Sequence, residues 1–387
     1  MSVWGPLAGR FESAQPQRKM LALDGGGIRG VLTLEILAEI ERKLAARLGA
    51  GDSFRLCDYF DYIGGTSTGA IIAASLARGM SSAEVLQIYR DHGRDLFDKA
   101  ALLDRLKFMY KSEPIAAMLQ EKFGAGTTLE PQHLKTLLLV VTQNVSTDSP
   151  WPISSNPLAK YNDMARSDCN LKIPLWQLVR ASTAAPVYFP PEVLQWDASN
   201  PAKSFVFTDG GTTPYNCPAF LMYRMATQAP YRLNWASGED RLLIVSVGTG
   251  AAAKAGPQAT DAHRNLFSNL ANLPGGLMDA MQVEQDTNCR TVGRCTYGAE
   301  LDREIGDLIP RDGAGEKIPL SKNLGRQFIY ARYNAELSRA GLDALGIKDI
   351  KPENVQKLDS VDSIEELSRV GKAVAKSVSL EHFGSFV

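Results

Sequence analysis

The stretch YFDYIGGTSTGAIIAASLARG, residues 59–79, changes character twice. An aromatic, strand-forming run, Tyr59–Ile63, gives way to the glycine-rich turn Gly64–Gly69. The following Ala70–Gly79 has the small apolar composition of a helix packed in a core. Within the turn, Gly65, Ser67 and Gly69 satisfy G-x-S-x-G with a strand before and a helix after. A strand-to-helix turn that sharp lifts the serine Oγ clear of the sheet, and glycines tolerate the close backbone approach it imposes. The helix N-terminus behind it points amides at developing negative charge. An ordinary glycine-rich turn with Ser67 as helix N-cap is the plainer reading of the same residues.

A similar unit lies upstream. Lys19–Asp24 is a short apolar run ending in glycines, which reads as a buried strand, and Val31, Leu34, Ile36, Leu37, Ile40, Leu44 and Leu48 recur at helical spacing. Two consecutive strand–turn–helix units predict an α/β fold with a parallel sheet and right-handed crossovers. Downstream, Thr136–Thr142, Phe205–Asp209, Arg241–Gly248 and Phe328–Leu337 read as further strands. Trp176–Ala184 reads as a helix stopped before Pro186. Ser81–Phe123 is helical throughout its pattern, while Thr147–Asn170 and 249–260 read as loops. Ser363 and Glu366 fit a capping box that heads the stripe Ile364, Leu367, Val370, Val374 and Val378. The chain divides into a polar lead-in (1–18), a core (19–250) and a C-terminal extension (251–387) that packs on the core or gates it.

At 387 residues, 44% hydrophobic and 22% charged, the chain has ordinary globular proportions and enough length to bury a core unaided. Its 42 basic residues balance 43 acidic ones, which argues against a nucleic-acid polymer bound through bulk positive charge. The five cysteines include no C-x-x-C pair, a pattern suited to a reducing cytosol and not to structural zinc. The first residues lack the apolar core of a signal peptide, and no apolar run reaches the ~18 residues that a membrane span needs. These features predict a soluble, cytoplasmic protein whose membrane contact is peripheral. Histidine is scarce: His92, His133, His263 and His382, none of them in a motif. His263, in a polar loop, is the one to test.

Two further motifs flank the turn. In DGGGIRG, residues 24–30, consecutive glycines leave backbone N–H groups unobstructed, as an oxyanion hole requires, and Arg29 adds a cationic donor for a phosphate group. Gly25, Gly27 and Gly30 also satisfy the dinucleotide fingerprint G-x-G-x-x-G. That motif expects an acidic residue ending a second strand about 20 residues on, where 41–51 still read as helix and turn. A dinucleotide-binding oxidoreductase is therefore the weaker alternative. Asp209-Gly210-Gly211 closes a strand, where sites of parallel α/β sheets form, or is simply a turn aspartate.

DGGGIRG (24–30), GTSTG (65–69), RASTAAPVYF (180–189) and DGG (209–211) occur in the order found in patatin-like phospholipases, and the chain resembles that family from about residue 19 to 250. The resemblance implies a three-layer fold with a mainly parallel central sheet flanked by helices. It implies a Ser–Asp dyad without histidine or cofactor: Ser67 as nucleophile, Asp209 as base, and the amides of Gly25, Gly26 and Gly27 as oxyanion hole. A buried carboxylate whose pKa is raised toward neutrality can serve as that base. The implied substrate is a membrane phospholipid, cleaved at a carboxylic ester. A catalytically idle patatin-like storage or binding protein is the other alternative.

The apolar segment Leu96–Tyr110, with Lys99, Arg105, Lys107 and Lys111 among or beside it, reads either as a bilayer-resting element or as a helix covering the sheet. Arg332–Leu337 and Gly341–Gly346 resemble the C-terminal part of bacterial patatin-like antiphage effectors. That resemblance implies activation by a cyclic oligonucleotide. Self-association is compatible with all of these readings.

Overall fold

The computed structural model describes residues 2–13, 15–97, 114–186, 189–197, 200–251 and 266–387. A nine-stranded sheet runs through it. Six strands are parallel: β1 (Arg18–Leu23), β2 (Tyr62–Thr66), β3 (Leu137–Asn144), β7 (Leu242–Val247), β8 (Arg294–Tyr297) and β9 (Ile329–Tyr333). Three are antiparallel to their neighbours: β4 (Ser149–Ser154), β5 (Glu192–Gln195) and β6 (Ser204–Asp209).

Alternation along the strands feeds two cores. Leu21, Leu23, Ile63, Leu138, Val140, Leu243 and Val245 face one layer. It is formed by α1 (Gly30–Leu48), α2 (Thr68–Ala77), α3 (Ser82–Phe97), α4 (Pro114–Phe123), α5 (Leu175–Ser182) and, later in the chain, Ile364–Ala375. Met20, Ala22, Tyr62, Leu139, Val141 and Ile244 face the other, where α6 (Ala219–Thr227) and α7 (Leu266–Val292) lie. Strands buried on both faces read as continuous apolar runs, which is why β1, β3 and β7 were legible. The three-layer α/β architecture is the one expected.

Several boundaries differ from the sequence reading. Tyr59 closes a short helix, Leu56–Tyr59, and the strand starts at Tyr62. The stretch 147–170 contains β4, and β5 was not foreseen: both are short antiparallel pieces whose pairing, not composition, makes them strands. The lead-in is not merely polar, because Trp4 and Leu7 are buried against the second core. The C-terminal third does more than pack on the core. Its strands β8 and β9 extend the same sheet next to β7. The helix at Ile364–Ala375, labelled α8, forms as expected, but Ser363 makes no side-chain capping bond. Most of Leu96–Tyr110, most of 249–260, and His263 lie outside the described residues.

Candidate active site

Ser67 sits between β2 and α2 with φ 54° and ψ −124°, a backbone conformation that L residues rarely adopt. The flanking glycines explain how the chain tolerates it. A Cβ on Gly65 would lie 2.0 Å from the Gly69 carbonyl oxygen, and one on Gly69 would lie 2.4 Å from that of Leu23. The Ser67 N–H donates to Ser182 Oγ at 2.9 Å, and Ser182 Oγ donates to the Val141 carbonyl at 2.6 Å. The elbow is thus anchored to β3 through α5.

Strand β3 also brings Asp209 to the serine. Thr66, the last residue of β2, pairs with Val141, and Asp209 pairs with the next residue, Thr142. Because β4 occupies the opposite edge of β3, β6 takes over the edge that β2 leaves, and the two strands end head to head. Asp209 does lie at the carboxyl end of its strand, but that strand runs antiparallel. Ser67 Oγ donates to Asp209 Oδ2 at 2.6 Å, and the Gly211 N–H donates to Oδ1 at 2.7 Å. Asp209 is 5% exposed. Burial pushes its pKa up to about 6, against the opposing pull of the Ser67 and Gly211 hydrogen bonds and the charge of Arg180.

The glycine loop after β1 closes the site on another side. A Cβ on Gly25 would meet Ser67 Cβ at 3.2 Å, so the loop lies directly against the serine. The Gly25 N–H donates to the Asn216 carbonyl at 3.1 Å and is therefore occupied. The Gly26 and Gly27 amides have no hydrogen-bond partner among the described residues. Arg29 is 6% exposed, with Nε 3.4 Å from the Gly26 carbonyl and an Nη 3.5 Å from that of Gln356. Its side chain supports the loop.

Sequence reasoning did not find what holds this loop in place. Arg332 on β9 donates to both Asp24 oxygens, at 2.9 and 2.5 Å, and to Ser246 Oγ at 2.6 Å. Gln282 on α7 adds a 2.6 Å bond to Asp24 Oδ2. Thr249 Oγ1 donates to the Gly25 carbonyl at 2.8 Å, and the Leu358 carbonyl accepts the Ile28 N–H at 2.9 Å. Leu358 also fills the space beside Gly27, where a Cβ would come within 2.2 Å of its oxygen. A dinucleotide pyrophosphate would have to approach that same glycine backbone. Ser182 had a sequence signal, since it lies in RASTAAPVYF. Arg332 opens the stretch Arg332–Leu337 that resembles bacterial effectors, but nothing there tied it to Asp24, and Asn216 and Gln282 had no signal.

Among the described residues neither Ser67 nor Asp209 has a histidine partner. His382 is packed against Tyr297 and Tyr333, and burial lowers its pKa to about 4. His133 Nδ1 meets Thr128 instead. Among the described residues no group of acidic, cysteine and histidine side chains could hold a metal ion, and no helix is long and apolar enough to cross a membrane.

A family model described as patatin-like phospholipase matches residues 21–223, just over half of the chain. This chain belongs to the patatin-like phospholipases. A cGAMP-activated phospholipase of Escherichia coli is 35% identical to it over 214 residues, which are 54% of this chain and 55% of the relative. Patatin-17 of Solanum cardiophyllum is 29% identical over 252 residues, 61% of each chain. The patatin-like chain thus spans between about half and two thirds of the length of these curated relatives. Among solved structures, human GIVD cytosolic phospholipase A2 aligns over 97% of this chain and 64% of its own, with a TM-score of 0.43 and 12% identity.

Proposed function

We propose that this chain hydrolyses carboxylic esters of membrane phospholipids, with Ser67 as nucleophile and Asp209 as its base. The observation that carries the proposal is the 2.6 Å hydrogen bond from Ser67 Oγ to Asp209 Oδ2 at a serine held on a strained turn. With a pKa near 6, Asp209 is mostly ionised at neutral pH yet still basic enough to take a proton. It accepts the Ser67 proton as Oγ attacks the ester carbonyl. The tetrahedral oxyanion then meets the free amides of Gly26 and Gly27, while Gly25 braces the loop through Asn216. Asp209 passes its proton to the leaving lysophospholipid oxygen. A water then attacks the acyl-serine and gives a proton to Asp209, which returns it to Ser67 Oγ as the acyl–oxygen bond breaks and the fatty acid leaves.

The names of the relatives support the substrate class, and the cGAMP-activated ones support a cyclic-oligonucleotide activator, as in an antiphage effector. Substrate in a bilayer requires at least transient, peripheral membrane contact. For Arg29 to reach a headgroup phosphate, its side chain would have to leave the Gln356 carbonyl. The test is fatty-acid release from mixed phospholipid vesicles by wild type, Ser67→Ala and Asp209→Asn, with and without a panel of cyclic di- and trinucleotides that includes cGAMP. Wild-type release lost in both variants supports the dyad. Release retained by Ser67→Ala sinks it, and equal wild-type release across the panel sinks the activator.

A further inference from the structure

A buried acceptor beside the site has no partner among the described residues: Asn216 is 2% exposed, and its Oδ1 accepts no hydrogen bond from them. The residue grips Gly25 at two points. Its backbone carbonyl accepts the Gly25 N–H at 3.1 Å, and its Nδ2 lies 3.4 Å from the Gly25 carbonyl. The second contact fixes how the carboxamide lies, since reversing it would set two oxygens against each other. Oδ1 is thereby left beside the α-carbons of Gly25 and Gly211, the two glycines that border the dyad. A Cβ on Gly25 would lie 2.3 Å from Asn216 Oδ1 and 3.2 Å from Ser67 Cβ. A Cβ on Gly211 would lie 3.0 Å from the same Oδ1 and 3.1 Å from Asp209 Oδ1. Glycine at both positions lets Asn216 Oδ1 pack against the backbone beside the serine and the aspartate.

A buried acceptor without a donor is unfavourable unless a partner arrives during function. The first half of the reaction supplies none from the protein, because Ser67 already donates to Asp209 and Gly211 already donates to its other oxygen. Once Ser67 Oγ is esterified, it has no proton left to donate, and Asp209 Oδ2 is open to water. A water there has two hydrogens to place.

We propose that Asn216 is a catalytic residue of deacylation: its Oδ1 accepts one hydrogen of the hydrolytic water while Asp209 accepts the other. The water oxygen then forms its bond to the acyl carbon. The proton it loses goes to Asp209, and the Ser67 Oγ–acyl bond breaks with Oγ regaining that proton. Atoms and charge balance with water as the only co-reactant. The proposal rests on the Ser67–Asp209 dyad of the preceding section.

The experiment compares wild type, Asn216→Ala and Ser67→Ala with p-nitrophenyl octanoate. It follows the first turnover by quenched flow, steady-state turnover, and covalent adduct by intact mass, and separately measures the rate of labelling by a fluorophosphonate. For Asn216→Ala we expect labelling and first-turnover rates near those of wild type. Steady-state turnover falls about 100-fold, as for a misplaced reactant, and the enzyme accumulates a mass equal to one octanoyl group. The proposal is overturned if Asn216→Ala slows labelling and turnover in parallel, which marks a purely structural role, or if it leaves turnover unchanged. Labelling or turnover that survives in Ser67→Ala overturns the dyad itself, a separate result.

Discussion

Replacing Asp209 by asparagine should make the protein more stable and inactive at once, with a dependence on pH that identifies the cause. Burial raises the Asp209 pKa from 3.8 to about 6. A carboxyl that binds its proton more tightly when folded favours the folded state only below the unfolded pKa. That advantage disappears as pH rises through the folded value. Moving from 3.8 to about 6 corresponds to about 3 kcal/mol against the folded state once the group is fully ionised. Near pH 4.5 the penalty is only about 1 kcal/mol. Asparagine is never charged, and it keeps both hydrogen bonds by turning its oxygen to the Gly211 N–H and its nitrogen to Ser67 Oγ. Asp209→Asn should therefore gain about 3 kcal/mol at pH 8 and about 1 kcal/mol near pH 4.5. For a chain of this length the larger gain raises Tm by roughly 4 °C. Calorimetric melting of both proteins at the two pH values measures it. Ester turnover should fall at least about 100-fold in the variant, and that of wild type should fall about tenfold per pH unit below 6. A gain equal at both pH values, or a lower Tm at pH 8, would refute the assignment of Asp209 as a buried, ionising base.

Three further outcomes follow from the same geometry. Ser67→Gly should abolish fluorophosphonate labelling yet raise the urea midpoint by the equivalent of about 1 kcal/mol, because glycine adopts φ 54° and ψ −124° without strain. Arg332→Ala should lower stability by about 3–5 kcal/mol in denaturant titration, since it leaves the Asp24 carboxylate buried beside the glycine loop without its cation. Gly27→Ala should lower Tm and turnover together. Its methyl group would lie 2.2 Å from the Leu358 carbonyl oxygen at a φ of +59°, so that an unchanged Tm would show that the contact yields freely.

The legibility of this protein follows sequence distance. The G-x-S-x-G turn and the glycine cluster after β1 each carry their meaning within a few residues, because a strand-to-helix turn imposes its own steric demands, whereas the Asp-Gly-Gly after β6 reads equally as a plain turn and took its meaning from the family resemblance. Continuous apolar runs located β1, β3 and β7, because a strand buried on both faces needs apolar residues at consecutive positions. Strands β4, β5 and β8 were missed because they are short and gain their stability from pairing. The helix Leu266–Val292 was missed in the less patterned C-terminal third, where no capping or periodic signal announced it.

None of the four histidines lies in a motif, and His382 is packed in an aromatic cluster. The expected helix at 363–378 formed, yet its cap did not, since a capping box describes a local option that tertiary packing is free to leave unused.

The sequence by itself determined the α/β class, the strand-to-helix turn that carries Ser67 and the glycine loop, because those are local chemistries written in consecutive residues, whereas Asp209 was singled out through the family resemblance. Only the tertiary structure decided how they meet. Strand β3 pairs first with β2 and then with β6, so that Ser67 reaches across 142 positions to Asp209. Arg332 joins Asp24 across 308 positions, and Asn216 joins Gly25 across 191. Partners so distant leave no periodic or positional trace in one chain, since burial, which makes them matter, exists only after folding.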